Sequence, residues 1–87
     1  MRRDKLKILL NILEICDGDG INKTKIVYQA NMNFKVAGIY LDMLTNEGMV
    51  EIINPGPRER YFTTEKGKEM VRNLKKVYDR IEQYSLE

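Results

Sequence analysis

The sequence contains no histidine, no tryptophan and a single cysteine, Cys16. One cysteine excludes an intrachain disulfide and suits a reducing compartment. Its place in an apolar helical pattern makes it a small buried hydrophobe. Without histidine, a structural zinc site lacks its usual ligands. The chain also lacks a glycine-rich phosphate loop and a pocketed pair of carboxylates, so no catalytic constellation is present and an enzyme is not expected. Asp17-Gly18-Asp19-Gly20 resembles the start of a calcium loop. The twelfth position of that loop, where an acidic ligand is needed, is Tyr28. No apolar run approaches the roughly 20 residues that span a bilayer. The first residues, Met1-Arg2-Arg3-Asp4-Lys5, carry charge without the apolar core of a secretion signal. The expectation is a soluble, cytoplasmic protein with no cofactor, no metal and no evident small-molecule ligand.

A surplus of one charge sign is also missing. Fifteen lysines and arginines stand against thirteen acidic residues, a net charge of +2. The distribution is more informative. No acidic residue lies between Asp19 and Asp42, while Lys23, Lys25 and Lys35 do, which creates a local basic field. Eighty-seven residues predict one domain with a modest core, a size at which a partner subunit helps stability.

What is present follows helical and strand periodicities. Asp4 is placed to cap a helix over Lys5 to Cys16, with Leu6, Leu9, Leu10, Leu13 and Cys16 at three- and four-residue steps. The Asp-Gly pairs end it, and Ile21 can add a short strand. Asn22 caps a second helix, about Lys23 to Ala30, with Ile26, Val27 and Ala30 inward. After a turn at Asn31-Met32, Asn33 caps a third helix whose inner face is Ala37, Leu41 and Leu44, with Gly48 as its stop. The outer face, Lys35, Val36, Gly38, Ile39 and Asp42, is an odd mixture for a solvated surface and suits presentation to a partner. Met49 to Ile53 and Arg58 to Thr63 read as two strands around the turn Asn54-Pro55-Gly56-Pro57. Thr64 then caps a last helix of about 22 residues, roughly 33 Å long. Met70, Leu74, Val77, Ile81 and Tyr84 are spaced four, three, four, three along it, a heptad seam widened by Val71 and Tyr78. Packing on the first helix accounts for the near end of that seam and leaves Val77, Ile81 and Tyr84 needing another partner.

The result is a mainly α chain with a small β-hairpin (α+β), in the order helix, helix, helix, hairpin, helix. It resembles small archaeal winged helix-turn-helix transcriptional regulators and chromatin-like proteins. The resemblance covers about residues 5–75. It is carried by Asn31-Met32-Asn33-Phe34, Tyr40-Leu41, Leu44, Gly48-Met49-Val50, Tyr61-Phe62-Thr63 and Thr64-Glu65-Lys66-Gly67. Asn33 stands where that family usually has Ser, Gly38 interrupts the third helix, and the third helix carries no arginine. The resemblance implies a DNA-binding domain over residues 1–66 and a long C-terminal dimerisation helix over 65–86. In such proteins that helix often pairs as an antiparallel coiled coil; the spacing itself leaves parallel and antiparallel pairing open.

In this fold the third helix enters the major groove with its N-terminal end nearest the bases. Asn33, Phe34, Lys35, Val36 and Ile39 are the candidates there, and Gly38 permits close backbone approach. Lys23, Thr24 and Lys25 suit phosphate contacts. Arg58 and Arg60 suit backbone or minor-groove contacts from the wing. Arg2, Arg3, Lys5 and Lys7 form a further basic cluster. The expected function is double-stranded DNA binding as a homodimer, nucleoid-associated, by a transcriptional regulator or DNA-organising protein. The dimer interface would be Met70, Leu74, Val77, Tyr78, Ile81 and Tyr84. The alternative is a protein–protein module docking through the same helix face. Plainer placements also remain open: Phe34 and Ile39 packed inside with Lys35 solvated, Lys23, Thr24 and Lys25 as an ordinary solvated helix start, the N-terminal cluster as a solvated tail, and the arginines paired with Glu51 or Glu59.

Overall fold

Four short polar side chains start four helices. In the computed structural model, which describes residues 4–84, Asp4 Oδ1 accepts from the Lys7 N–H at 2.8 Å, Asn22 Oδ1 from Lys25 at 2.9 Å, Asn33 Oδ1 from Val36 at 2.8 Å and Thr64 Oγ1 from Gly67 at 3.2 Å. Each satisfies an N–H that the helix cannot, an arrangement that contributes about 1 kcal/mol per helix. The helices are α1 (Lys5–Ile15), α2 (Lys23–Ala30), α3 (Phe34–Asn46) and α4 (Glu65–Glu82), with strands β1 (Val50–Ile53) and β2 (Arg60–Thr63) between α3 and α4. Arg2, Arg3 and the end of the expected last helix at residue 86 lie outside the described residues.

Three boundaries differ from expectation by one or two residues. Cys16 is the C-cap of α1 rather than part of its last turn. Met49 precedes the strand because it completes the end of α3. Gly48 takes φ 75, its N–H donates to Thr45 O at 3.1 Å and that of Met49 to Leu44 O at 2.9 Å, the paired bonds of a glycine-terminated helix. The second strand begins at Arg60, leaving Arg58 in the wing loop.

β1 and β2 pair antiparallel, Val50 opposite Thr63 and Ile53 opposite Arg60. Ile21 adds a single bridge to Tyr61, with reciprocal N–H···O bonds of 2.8 and 2.9 Å. The core is Ile12, Leu13 and Cys16 of α1, Ile26 of α2, Leu41 and Leu44 of α3, and Val50 and Tyr61 of the hairpin. Alternation in β2 turns Tyr61 and Thr63 inward. Thr63 Oγ1 donates to Leu13 O at 2.6 Å and its N–H to Cys16 O at 2.9 Å, so the hairpin satisfies the carbonyl end of α1. The Tyr61 hydroxyl donates to Glu59 Oε1 at 2.8 Å. Burial and that neighbouring carboxylate push its pKa to about 12. Burial likewise pushes the Cys16 thiol to about 12, which makes it an inert thiol at neutral pH.

α4 starts against the hairpin and leaves along α1. Lys75 Nζ lies 2.6 Å from Glu14 Oε2 and Lys68 Nζ 3.8 Å from Asp17 Oδ1. The Tyr78 hydroxyl reaches Asp4 Oδ1 at 3.4 Å. These groups are exposed and position the helix more than they stabilise it. No described helix is long and apolar enough to cross a membrane.

Candidate nucleic-acid interface

α3 is oriented by its inner side. Ala37, Leu41 and Leu44 are buried, and this turns Phe34, Lys35 and Ile39 outward. Phe34 is 51% exposed and Ile39 59%. Neither is packed inside, which removes the plainer placement of these two side chains. Val36 is half-buried and Lys35 exposed. Met43, also on α3, is partly exposed and adds apolar surface to the same helix. Asn33 is occupied as the cap, so its side-chain oxygen already has a donor in the free protein.

α2 meets α3 at its first residue. The Lys23 ammonium lies 5.8 Å from the centroid of the Phe34 ring, within cation–π range. It also fills the space beside Gly38: a Cβ built there would stand 3.0 Å from Lys23 Nζ and 3.8 Å from its Cε. In this structure the space beside the glycine is taken by a lysine of the same chain. Lys25, two residues on, faces a different neighbour. It lines a cleft of about 330 Å³ with Asn22, Gln29 and Arg60. A second cleft, about 490 Å³, holds Arg58, Arg60, Pro57 and Asn22.

The candidate cations thus form two groups linked by the first turn of α2. Lys23 sits with α3; Lys25 sits with the wing arginine Arg60. Thr24 lies between them and is exposed. Neither Arg58 nor Arg60 belongs to an ion pair among the described residues. Glu59 is engaged by Tyr61 instead. Asp19 lines both clefts, a feature hidden in the sequence because Asp19 lies about 40 residues from the wing. Gln29 is also new to this surface. Tyr28 is 88% exposed, and nothing in the spacing of Ile26 and Ala30 marks it beyond its being off their face.

On α4, Met70 and Leu74 are half-buried. With Leu6, Leu9, Met43 and Met49 they line an apolar groove of about 180 Å³. Further along, Val77 is 52% exposed and Ile81 48%. Tyr84 is more exposed still. Tyr78 is turned toward α1 by its contact with Asp4.

Comparison with known proteins gives consistent results. An uncharacterised protein of Methanocaldococcus jannaschii is 28% identical over 79 residues, covering 90% of this chain and 76% of that protein. The crystal structure of Sso10a-2, a DNA-binding protein from Sulfolobus solfataricus, superposes with a TM-score of 0.76 at 29% identity, over 94% of this chain and 88% of that one. Both are archaeal proteins. The homodimeric winged helix-turn-helix DNA-binding domain Mb0332 of Mycobacterium bovis shares the fold, with a TM-score of 0.74 at 21% identity over 95% of this chain and 78% of that chain. The family model described as winged helix-turn-helix matches residues 2–82, from before α1 to the end of α4. By that match over nearly its whole length, the chain belongs to the winged helix-turn-helix family.

Proposed function

We propose that this chain binds double-stranded DNA as a homodimer, acting as a transcriptional regulator or a DNA-organising protein. The observation that carries the reading is the outer face of α3. A capped helix presents Phe34, Lys35 and Ile39 to solvent, beside Lys23, in a stretch of sequence free of acidic residues from position 20 to 41. The likeness to Sso10a-2, a DNA-binding protein, supports it. In this reading α3 lies in the major groove with its N-terminal end toward the bases. Phe34 and Val36 suit thymine methyls. Lys25 and Thr24 contact phosphates at the start of α2, and Arg58 and Arg60 contact the backbone or minor groove from the wing. Phosphate contacts of this kind set register and affinity without sequence information.

The dimer half of the reading rests on α4. Residues 1–66 form the DNA-binding unit and 65–86 the dimerisation helix, with Met70, Leu74, Val77, Tyr78, Ile81 and Tyr84 along the seam. Val77 and Ile81 are half exposed on a helix that has already run past the core, and a second copy of that helix covers them.

Lys23→Glu combined with Lys35→Glu tests the DNA half. Two reversed charges next to the phosphate backbone lower affinity for duplex DNA at low salt by roughly 100-fold or more, with the melting temperature little changed because neither lysine is buried. A gel-retardation titration of the double variant that matches the wild type would overturn the placement of α3 on DNA. It would favour docking of the apolar face on a protein.

A further inference from the structure

The proposed interface contains one feature that phosphate binding does not explain, the fit between Lys23, Phe34 and Gly38. Phe34 and Gly38 are four residues apart and occupy adjacent turns of one α3 face. A glycine inside a helix weakens it relative to alanine. Gly38 is not among the positive-φ glycines, so no left-handed conformation requires it. What lies within 4 Å of its missing Cβ is the Lys23 ammonium and the carbon that carries it. Lys23 forms none of the ion pairs found among the described residues. Its ammonium is instead held between an aromatic ring and a bare patch of helix. Lys25 on the same turn faces the wing cleft, so the two lysines are not equivalent.

α3 itself has Lys35 as its one cation and no arginine. A helix so composed has a single side chain of the kind that reads guanine edges in the major groove. Lys23 supplies a second from outside the helix. We infer that Lys23 is a specificity-determining residue of the α3 surface: Phe34 and the Gly38 notch hold its ammonium so that it enters the major groove with α3 and donates to the O6 and N7 acceptors of a guanine. This inference rests on the proposed DNA-binding function, and it moves Lys23 from the phosphate-contacting set to the base-reading set. The chemistry fits. An ammonium is a compact donor of three hydrogen bonds with no acceptor, and guanine offers two acceptors side by side on its major-groove edge.

Gly38→Ala separates this role from a phosphate contact. The new methyl crowds only the far end of a flexible side chain, which must give way slightly, so the helix is kept, the charge is kept, and the ammonium is shifted from its seat. The full-length protein is first used to select bound sequences from a random duplex pool. Binding of the preferred duplex and of its single-base-pair variants is then measured by fluorescence anisotropy at several salt concentrations, for the wild type, Gly38→Ala, Lys23→Met and Lys25→Met. Gly38→Ala and Lys23→Met are expected to lose roughly 10-fold of preference at the same G·C pair. Gly38→Ala is expected to keep the salt dependence of the wild type. Lys25→Met is expected to weaken all duplexes alike and to reduce the salt slope by about one. Retention of the full preference by Gly38→Ala, or a Lys23→Met variant that behaves as Lys25→Met does, overturns the inference. So does a selection that yields no preferred sequence, although duplex binding then stands. A wild type that binds no duplex at low salt defeats the proposed function itself.

Discussion

Gly67→Ala is expected to destabilise the fold by about 3 kcal/mol or more, a large share of the roughly 5–15 kcal/mol that holds a domain folded. Gly67 is buried in the first turn of α4. A Cβ there would stand 2.6 Å from Thr63 Cγ2 and closer still to the carbonyl oxygen of Met49. Neither neighbour can yield. Met49 O accepts the Thr64 N–H at 2.9 Å, and Thr63 is fastened to the end of α1 through Leu13 O and Cys16 O. The methyl must therefore lift α4 off the hairpin. That shift also breaks the Thr64 hydroxyl bond to Gly48 O, at 2.6 Å, and the Lys66 bond to Glu47 O, also at 2.6 Å. A urea titration followed by circular dichroism measures the loss as a large drop in midpoint. The same substitution at Gly38 gives the opposite sign, a gain of up to about 1 kcal/mol from helix propensity. The contrast separates a glycine kept for a backbone contact from one kept for a lysine.

Val77→Asp with Ile81→Asp is expected to halve the mass in solution, from near twice 10.2 kDa to a single chain, in sedimentation experiments at micromolar concentration. Two charges on a seam of half-exposed apolar side chains carry a desolvation cost that no partner helix offsets. The fold itself should survive, because neither residue belongs to the core. The second consequence is larger. A dimer binds its second DNA site at the effective concentration set by the linkage, so a monomer should bind the same duplex on the order of 100-fold or more weakly. A wild type that sediments as a monomer, or a double variant that stays dimeric, would show that the distal half of α4 serves something else.

Much of this fold is written in local chemistry. The caps Asp4, Asn22, Asn33 and Thr64 are short polar residues directly before apolar periodic runs, and all four act as caps. Gly48 stops α3 as its position suggests, and the Asn54–Pro57 turn joins two paired strands. Thr64-Glu65-Lys66-Gly67 is legible as a motif, yet the reason for its glycine is not, because Met49 is 18 residues away in sequence. The candidate site was legible in part for the same reason. Periodicity separates the inner and outer faces of α3, yet it leaves open whether Phe34 and Ile39 pack inside, and only the packing of the helix decides that both are exposed. The division between Lys23 and Lys25 does not, since it depends on how α2 crosses α3 and where the wing folds back. The clefts that Asp19 and Arg60 line together, and the Lys23 ammonium over Gly38, come from tertiary structure with no trace in spacing or composition.

The most direct test of DNA binding by this chain is the salt dependence of its affinity for duplex DNA. In a fluorescence anisotropy titration with genomic-length or random duplex fragments, tight binding is expected at low salt. Log K should fall linearly with log salt concentration, with a slope of roughly −4 to −8 for a dimer that neutralises about five to nine phosphates. Absence of binding at low salt, or an affinity that does not change with salt, would contradict it.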